Sequence, residues 1–407
     1  MKILFLNAYF FPEIISFTHL EKDLIEGLLE NGHELFVLAP TPTRGISDEL
    51  YEKYRKCKHE ELYDSRVHVT RFFAPREGKN PIVRALRYFW CNAREYGLGK
   101  KHRDIDLIFA VSTPPTQGLL AGKLAKKLKC PFVYSLQDVF PDSLVTTGMT
   151  SEGSMIWKFG RKMENKTYAR SSRVVVISQA IEDNLKNKGV SEDKLVQIPN
   201  WIDTDAVVPV CKESNRLYDE FGLSRDRFCV VYAGNFGAAQ GADVVLQAAE
   251  KLKTQDDIQF VIFGGGAEYE KAVQTVRERS LTNVFIHPLL PQDRVPEVYS
   301  LGDVALITCK KGVGKSGMPS KTWSIMACNT PIVASFDTDS ELAEILSASG
   351  AGICVEPEDE EELVHAILQQ KENRNMKNNS RAYVMETASK RICTEKYIKT
   401  INDLCGK

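Results

Sequence analysis

The sequence predicts an α/β protein with two domains, each built around a parallel β-sheet. Two observations support this fold class. Between Phe228 and Glu344, an apolar strand, a glycine-rich loop and a helix follow one another three times, which is typical of a parallel sheet with crossover helices. The chain has 407 residues, more than one hydrophobic core usually serves, and residues 1–200 show their own alternation of strands and helices.

In the second half of the chain, each predicted strand ends in a loop that can approach a ligand closely. The strands cover Cys229–Ala233, Phe260–Phe263 and Val304–Ile307, and the loops after them contain Gly234–Gly241, Gly264–Gly266 and Pro319–Lys321. The carboxyl ends of parallel strands share one edge of the sheet, where open α/β sheets bind ligands. Backbone N–H groups at the following helix starts suit an anion, in particular a diphosphate.

The first half of the chain opens with a strand, Lys2–Leu6, and an amphipathic helix that ends at Gly32. Further strands are predicted at Glu34–Ala39, Val67–Phe73, Leu107–Val111, Phe132–Leu136 and Val174–Ile177. The domain boundary is predicted near Pro199–Asp203. We therefore expect domains at residues 1–200 and 201–375, followed by C-terminal helices at 376–407. The final segment, Arg381–Cys405, is predicted to be a helix that returns to the first domain.

Composition is that of a soluble globular protein, with 43% apolar and 26% charged residues. Residues 1–200 carry 30 Lys+Arg and 24 Asp+Glu, a net charge of +6, whereas the remainder carries 23 and 30, a net charge of −7. This asymmetry favours an anionic surface as a partner of the first half only. No segment reaches the ~20 apolar residues of a spanning helix. The ten cysteines include no C-x-x-C pair and are expected to be reduced, as in a cytosolic protein.

Metal ions and nucleic acids are not predicted as partners. The D-x-D sequences Asp203–Asp205 and Asp337–Asp339 match a metal-holding motif, but such pairs arise easily in a chain with 54 acidic residues. The seven histidines show no ligand spacing. Gly314–Ser316 matches the end of a P-loop, but Cys309 stands where the motif requires its first glycine.

Six segments, spread in order over some 320 residues, make the chain resemble a known family. They are Asn7–Glu13, Gly32–Glu34, Gln137–Ser143, Ile198–Asp203, Tyr232–Gly241 and Pro319–Ala327. On these segments the chain resembles the family-4 glycosyltransferases of the GT-B fold over essentially its full length. It is most similar to the bacterial subgroup that builds capsule, O-antigen or exopolysaccharide repeat units, including N-acetyl-L-fucosamine transferases.

The resemblance implies two Rossmann-like domains that face each other across a cleft, with the nucleotide-sugar bound by the second domain. It implies a hexosyl- or N-acetylhexosaminyl-type enzyme that moves a sugar from a UDP-sugar to a polyprenyl-diphosphate-linked saccharide with retention of configuration. It implies no metal or other cofactor, and a cytoplasmic location, peripheral on the inner face of the plasma membrane. A UDP-sugar 2-epimerase and a catalytically silent scaffold of a polysaccharide assembly stay open as alternatives.

Several positions depart from the family pattern, and the departures fall on the donor site. Better-known members carry Arg and Lys where Asn235 and Gln240 stand, and a pair of Glu where Ser316 and Ser324 stand. Their Gly-Gly pair is replaced by Ile14–Ile15. Two phosphate-facing cations and a ribose-binding carboxylate are therefore missing from their usual positions.

Lys321 is the best candidate for the missing cation, because it follows Ser320 at a predicted helix start. Glu341 is the candidate for the ribose contact. The alternatives are a solvated surface cation for Lys321 and stabilisation of a helix N-terminus for Glu341. The predicted donor-binding residues are Asn235, Gly237, Gln240, Gly264, Gly265, Ser320, Lys321 and Glu341.

Asp138 and His19 are the predicted catalytic residues of the first domain. Asp138 stands at the carboxyl end of the predicted strand Phe132–Leu136, where it can orient the acceptor hydroxyl or the donor sugar. His19 lies at the start of the first helix, where the family often has a polar residue near the sugar. The alternatives are an Asx turn before Pro141 for Asp138 and a surface histidine for His19.

Residues 79–103 combine basic and aromatic side chains with helical spacing. Lys79 and six further Lys and Arg interleave with apolar residues, and Glu95 is the only acid. This pattern predicts an interfacial helix that binds an anionic membrane surface through Arg84, Arg87, Trp90 and Arg94. The alternative is a helix whose apolar face packs on the core and whose basic face is solvated.

Overall fold

The structure, a computed structural model, describes residues 1–13, 17–78, 80–146, 148–373 and 378–406. Ile14, Ile15 and Lys79, named above, lie outside these ranges, as does the side chain of Ser316. The chain divides into two compact units. The first comprises Met1–Pro199 with Cys393–Lys407, and the second comprises Asn200–Ile392.

The first unit is built on an eight-stranded sheet in which all neighbours are parallel except β3 and β4. Its strands are β1 Lys2–Leu6, β2 Glu34–Pro40, β3 His59–Leu62, β4 Val67–Phe72, β5 Leu107–Val111, β6 Phe132–Leu136, β7 Arg173–Val176 and β8 Leu195–Gln197. The strand order is β3-β4-β2-β1-β5-β6-β7-β8. Strands β5 and β6 are buried along their whole length, as expected of a parallel sheet covered on both faces.

Helices cover this sheet on both faces. They are α1 Thr18–Glu30, α2 Asp48–Lys56, α3 Pro81–Gly99, α4 Thr116–Leu128, α5 Asp142–Thr146, α6 Met155–Arg170 and α7 Gln179–Asn187. The hydroxyls of Ser47, Ser154 and Ser178 each accept a hydrogen bond from the backbone N–H three residues on, which caps α2, α6 and α7. Helix α1 buries the leucine stripe that its spacing predicts, including Leu20 and Leu24.

The second unit has a six-stranded, wholly parallel sheet. Its strands, in the order β11-β10-β9-β12-β13-β14, are β9 Phe228–Asn235, β10 Ile258–Gly265, β11 Val284–Pro288, β12 Val304–Thr308, β13 Ile332–Ser335 and β14 Gly352–Val355. Its helices are α8 Leu217–Glu220, α9 Asp243–Lys251, α10 Tyr269–Glu278, α11 Val295–Ser300, α12 Lys321–Ala327, α13 Glu341–Ser349, α14 Glu360–Glu372 and α15 Ser380–Thr387. The prediction of two parallel-sheet α/β domains is confirmed.

The segment Arg381–Cys405 forms two helices, so the prediction of a single helix is wrong, whereas the predicted return to the first unit is confirmed. Helix α15 ends at Thr387, and Ser389 then forms an isolated parallel bridge with Ile202. The backbone N–H of Ile202 donates to Ala388 at 3.0 Å, which takes these residues out of the helical ladder. Helix α16, Lys390–Leu404, follows, and from Cys393 onward it belongs to the first unit.

Helix α16 completes the core of the first unit. The hydroxyl of its buried Tyr397 lies 3.0 Å from that of Ser135 on β6, and its ring stacks edge-on against Phe109 of β5 at 6.1 Å. Ile398 packs where Gly27 of α1 leaves space, since a Cβ at residue 27 would lie 3.3 Å from the Ile398 side chain. The first sheet is therefore covered in part by the last helix of the chain.

Candidate functional site

A cavity of about 570 Å³ lies at the carboxyl ends of the strands of the second unit. Its wall includes Asn235 at the end of β9, Thr308 at the end of β12 and Phe336 just after β13. Pro319, in the loop before α12, and Lys321, the first residue of α12, close it. Because neighbouring parallel strands end at the same edge, residues distant in sequence meet here, at the position where open α/β sheets bind ligands.

The ammonium group of Lys321 faces this cavity with an aromatic ring beneath it. Its Nζ lies 4.4 Å from the centroid of the Tyr232 ring, a cation–π distance. Among the described residues Lys321 forms no ion pair, whereas Lys311 pairs with Glu356 at 3.9 Å and Lys315 with Asp339 at 2.5 Å. Burial lowers the pKa of Lys321 to about 8. A cation that is poorly hydrated and unneutralised by protein suits an anionic ligand.

The loop after β9 brings the two predicted amide side chains together. Asn235 Nδ2 donates to Gln240 Oε1 at 3.2 Å, and both residues line the cavity. Thr308 Oγ1 donates to the backbone carbonyl of Gln240 at 2.7 Å, which ties the loop to β12. A Cβ at Gly237 would lie 2.7 Å from both Asn235 Nδ2 and Gln240 Oε1, so glycine permits the amide pair to form. Gly237 itself does not line the cavity.

Three further predicted donor-binding residues stand outside the cavity wall. A Cβ on Gly264 would lie 2.7 Å from Tyr269 and 2.8 Å from Phe236, so this glycine serves the packing of rings. Gly265 approaches the side chain of Leu289, which does line the cavity. Glu341 begins α13 directly after its cap, Ser340. Burial, and after it the charge of Glu341, raise the pKa of Tyr383 on α15. The Glu341 carboxylate therefore lies close enough to α15 to influence that tyrosine.

Sequence reasoning missed the aromatic and apolar part of the site. Tyr232 is buried in the core, as its place in an apolar strand predicts, but its polar tip needs a partner. Its hydroxyl donates to the Asn235 carbonyl at 3.2 Å. The cavity wall contains Phe263, Leu289, Leu290, Val295 and Val298. The cavity thus has a polar side around Lys321 and an apolar side.

The predicted catalytic residues lie in the first unit. Asp138 is exposed just beyond the carboxyl end of β6. Burial first, then the charges of Glu164 and Asp138, raise the pKa of Tyr134. His19 is exposed in the first turn of α1. Both positions agree with those expected from the sequence, and their catalytic roles stay predictions.

A buried carboxylate, Glu77, organises the carboxyl edge of the first sheet. Arg44 binds it through two nitrogens at 2.7 and 2.8 Å, and Arg84 Nε donates to it at 2.8 Å. The hydroxyls of Tyr9 and Tyr88 donate to it at 2.9 and 3.2 Å. Burial alone would raise the pKa of Glu77, but the hydrogen bonds from Arg44 and Tyr9 lower it to about 2. The loops after β1, β2 and β4 are therefore held together by one anion.

Helix α3 carries the residues predicted to bind a membrane, and the prediction is wrong for one of them. Arg87 is only 3% exposed, because its Nε donates to the Pro75 carbonyl at 2.9 Å. Arg84 is partly exposed and paired with Glu77. Trp90 is 48% exposed, with Nε1 donating to the Phe73 carbonyl at 3.1 Å, and Arg94 is exposed. The alternative of a helix whose apolar face packs on the core is also wrong, because Val83, Leu86 and Phe89 are exposed.

The first aspartate of each D-x-D sequence accepts hydrogen bonds from backbone N–H groups. Asp337 accepts from the N–H groups of Gly312 and Gly314, both at 2.8 Å, and Asp203 accepts from those of Asp205 and Ala206, both at 3.0 Å. Within the described ranges, no three His, Cys, Asp or Glu side chains come together as a metal-holding group. None of the described helices combines the length with the apolar composition that a membrane-spanning segment requires.

Family comparisons match each unit separately. A model of Glycosyltransferase Family 4 matches residues 22–206, and one of Glycosyl transferases group 1 matches residues 215–390. The putative colanic acid biosynthesis glycosyl transferase WcaI of Escherichia coli (strain K12) is 25% identical over 379 residues, covering 91% of this chain and 92% of that protein. The probable glycosyltransferase WbjE of Pseudomonas aeruginosa is 26% identical over 298 residues, covering 73% and 74%.

Solved structures agree with the fold. The Anabaena protein HepE in complex with UDP superimposes with a TM-score of 0.73 at 16% identity, covering 99% of this chain and all of that one. Sucrose-phosphate synthase from Thermosynechococcus elongatus gives a TM-score of 0.75 at 16% identity, covering 100% and 99%. The two units thus match, in chain order, the two halves of one architecture, and the chain belongs to the GT-B glycosyltransferases.

Proposed function

We propose that this glycosyltransferase moves a sugar from a UDP-sugar to a lipid-diphosphate-linked saccharide, with retention of configuration, in the synthesis of a cell-surface polysaccharide. The observation that carries the donor assignment is the unneutralised ammonium of Lys321 in the cavity of the second unit. The names of WcaI and WbjE, and the UDP in the HepE structure, support the choice of reaction and nucleotide.

Lys321 provides the charge that the donor diphosphate requires. With its pKa lowered by burial to about 8, most of the side chain is still protonated at neutral pH. A partly desolvated ammonium binds a phosphate oxygen more strongly than a hydrated one does, because neither water nor a carboxylate competes. Lys321 thereby takes over from the two cations that Asn235 and Gln240 replace.

The amide pair and the apolar wall orient the rest of the donor. Asn235 and Gln240 use one donor–acceptor pair on each other, which leaves amide N–H groups for phosphate oxygens. The wall formed by Phe263, Leu289 and Leu290 suits the flat uracil ring. Among UDP-sugars we expect a hexose or N-acetylhexosamine, with N-acetyl-L-fucosamine as a specific candidate.

The chemistry then consists of placement and charge stabilisation. When the bond between sugar and UDP breaks, negative charge develops on the departing diphosphate, and Lys321 is positioned to stabilise it without a metal. A donor phosphate oxygen takes the acceptor proton, which places the attack on the same face of the sugar and retains configuration. We expect Asp138 to orient the acceptor hydroxyl or the donor sugar, and His19 to act near the sugar. The enzyme acts in the cytoplasm, peripheral on the inner face of the plasma membrane, where its lipid-linked acceptor resides.

A panel of UDP-sugars, each incubated with and without a polyprenyl-diphosphate-linked saccharide, tests this function. Transfer only when both are present is the expected result. Conversion of the UDP-sugar without an acceptor would identify an epimerase. Absence of both binding and turnover across the panel would instead indicate a silent scaffold.

A further inference from the structure

The tip of Lys321 has a defined position in the wall of the cavity of the second unit. Its Nζ lies 4.4 Å from the centroid of the Tyr232 ring. A Cβ on Gly234 would lie 2.6 Å from Nζ and 3.2 Å from Cε, so the amine occupies space that the glycine leaves. The side chain is partly buried, yet it lines the cavity. Lys321 is thus held in place and accessible to a small molecule that enters the cavity.

Burial acts differently on this amine and on the other ionisable groups of the cavity wall. It lowers the pKa of Lys321 from 10.5 to about 8, because burial disfavours the charged ammonium. It raises the pKa of Cys309 to about 11 and also raises that of Tyr299, because burial disfavours thiolate and phenolate as well. Each group is driven toward its neutral form, but only for the amine is the neutral form the nucleophile.

The size of this effect is enough to distinguish Lys321 from an ordinary lysine. With a pKa of about 8, about a tenth of the side chain is neutral at pH 7, against about one part in 3,000 for a lysine at 10.5. A less basic amine is also a weaker nucleophile. With the dependence on basicity that thiols show, the gain in rate is on the order of 20- to 30-fold.

The wall beside Lys321 also offers hydrogen-bond donors to a phosphate group. Asn235 follows Gly234 in the chain, and its Nδ2 donates to Gln240 Oε1 at 3.2 Å. An amide nitrogen carries two N–H groups, so this pair has further donors for phosphate oxygens. A phosphate bound to the amides brings a group attached to it within reach of the Lys321 amine, since all three side chains line one cavity.

We propose that Lys321 is a modification site, acylated by a small acyl phosphate, and that its acylation switches the donor site off. The lone pair of the neutral Nζ attacks the acyl carbon, and the bond from that carbon to the phosphate oxygen breaks. The phosphate leaves with the electron pair and takes the proton that the amine loses. The product is an uncharged amide, which no longer attracts a diphosphate. The effect on the donor rests on the function proposed above, whereas the acylation itself does not.

Peptide mass spectrometry of the full chain treated with acetyl phosphate at pH 7 tests the acylation. We expect Lys321 to be acetylated at least about tenfold faster than Lys310, an exposed lysine of the preceding loop that serves as the matched comparison within the same molecule. Inorganic phosphate at high concentration should slow the reaction at Lys321 and leave Lys310 unaffected. Equal rates at the two lysines would overturn the proposal.

A second reagent separates recognition of phosphate from reactivity alone. The ester p-nitrophenyl acetate transfers the same acetyl group without a phosphate, so its preference for Lys321 over Lys310 should be smaller than that of acetyl phosphate. An equal preference with both reagents would overturn the assignment to acyl phosphates.

Gly234→Ala tests the position of the amine. The added Cβ meets only the flexible end of Lys321, which can move aside while the fold is kept. We expect the melting temperature to change little and the rate at Lys321 to fall toward that of Lys310. A parent-like rate at Lys321 in this variant would contradict the role of this position.

Titration of UDP before and after acetylation tests the switch. Binding of UDP to the untreated parent and loss of at least about tenfold in affinity after complete acetylation of Lys321 are expected. The control is Lys321→Arg, which lacks the reactive amine and should bind UDP equally well before and after treatment. Unchanged affinity in the acetylated parent would overturn the switch. Selective acetylation of a parent that never binds UDP would confirm the modification site and overturn only the donor assignment on which the switch rests.

Discussion

The carboxyl edges of the two sheets differ in how their buried charges are compensated. In the second unit the edge opens into a cavity, and Lys321 faces it without a carboxylate partner among the described residues. In the first unit, Glu77 is enclosed by two arginines and two tyrosines, so its charge is fully compensated within the protein. A compensated cluster stabilises loops, whereas an uncompensated cation is left for a ligand. Charge balance therefore distinguishes a supporting network from a binding site at topologically equivalent places.

Removal of Glu77 should give the largest effect, and it should act on stability. Glu77→Ala leaves Arg44 and Arg84 without their anion. We expect a loss of roughly 2–3 kcal/mol in the free energy of unfolding, below the ~3–5 kcal/mol of a fully buried pair because both arginines are partly exposed. Urea denaturation measures it. Glu52→Ala, which removes an exposed ion pair with Arg55, is the control and should stay near the parent.

The same carboxylate predicts an acid-dependent loss of stability. The pKa of Glu77 in the folded protein, about 2, lies below its ordinary value of 4.5. Its contribution is therefore present above about pH 4.5 and is lost as the pH falls toward 2. The difference in unfolding free energy between the parent and Glu77→Gln should shrink over this range. A difference that stays constant from pH 6 to pH 3 would show that Glu77 is not the titrating group.

Lys321→Ala should act on donor binding and leave stability almost unchanged. Loss of a charged contact to phosphate weakens UDP binding by about 1.5–3 kcal/mol. Lys321→Arg should keep part of the affinity, because it keeps the charge but not the compact shape. Isothermal titration decides, with Lys315→Ala as the control on a cation that Asp339 already neutralises. An unchanged dissociation constant in Lys321→Ala would remove it from the donor site.

The affinity for UDP should fall as the pH rises. Only the protonated ammonium binds phosphate, and the pKa of Lys321 in the free protein is lowered to about 8. Between pH 7 and pH 9 the protonated fraction drops about tenfold, so the dissociation constant should rise by about the same factor. Lys321→Arg should show no such dependence in this range. A parallel loss in the Arg variant would assign the titration to another group.

The neutral amides should give the smallest effects. Asn235→Ala and Gln240→Ala each remove neutral hydrogen bonds, so we expect a loss of roughly 0.5–1.5 kcal/mol of UDP affinity per substitution. Since the two side chains also bond to each other at 3.2 Å, the double variant should lose less than the sum. A UDP complex with both side chains turned away from the phosphates would contradict this.

The sequence predicted the sheets well where the strands are apolar and poorly where they are short or charged. The run His59–Leu62 contains two glutamates, yet it forms β3 because it needs only one partner at the sheet edge. Strand β14, whose four residues are all half-buried, lies at one edge of the sheet of the second unit. Edge strands depend on backbone hydrogen bonds to a neighbour more than on apolar periodicity, so pattern alone does not reveal them.

For the site, the sequence identified which loops meet but not which way their side chains point. Asn235, Gln240, Ser320 and Lys321 all line the cavity. Gly264 instead leaves space for the rings of Phe236 and Tyr269. The sequence alone does not show where these rings lie. Arg87 has the spacing of a helix flank, but the carbonyl of Pro75 that binds it comes from a preceding loop. Tertiary partners of this kind leave no local signal.

The position of helix α16 has a consequence for synthesis. The first unit lacks Tyr397 and its neighbours until residues 200–392, which belong to the second unit, have left the ribosome. At about 5–20 residues per second, this delay lasts on the order of 10–40 seconds. During that time the surface around Ser135 and Phe109, later covered by Tyr397, remains open to water and to other nascent chains. The first unit can therefore complete its core only after the residues of the second unit have been synthesised.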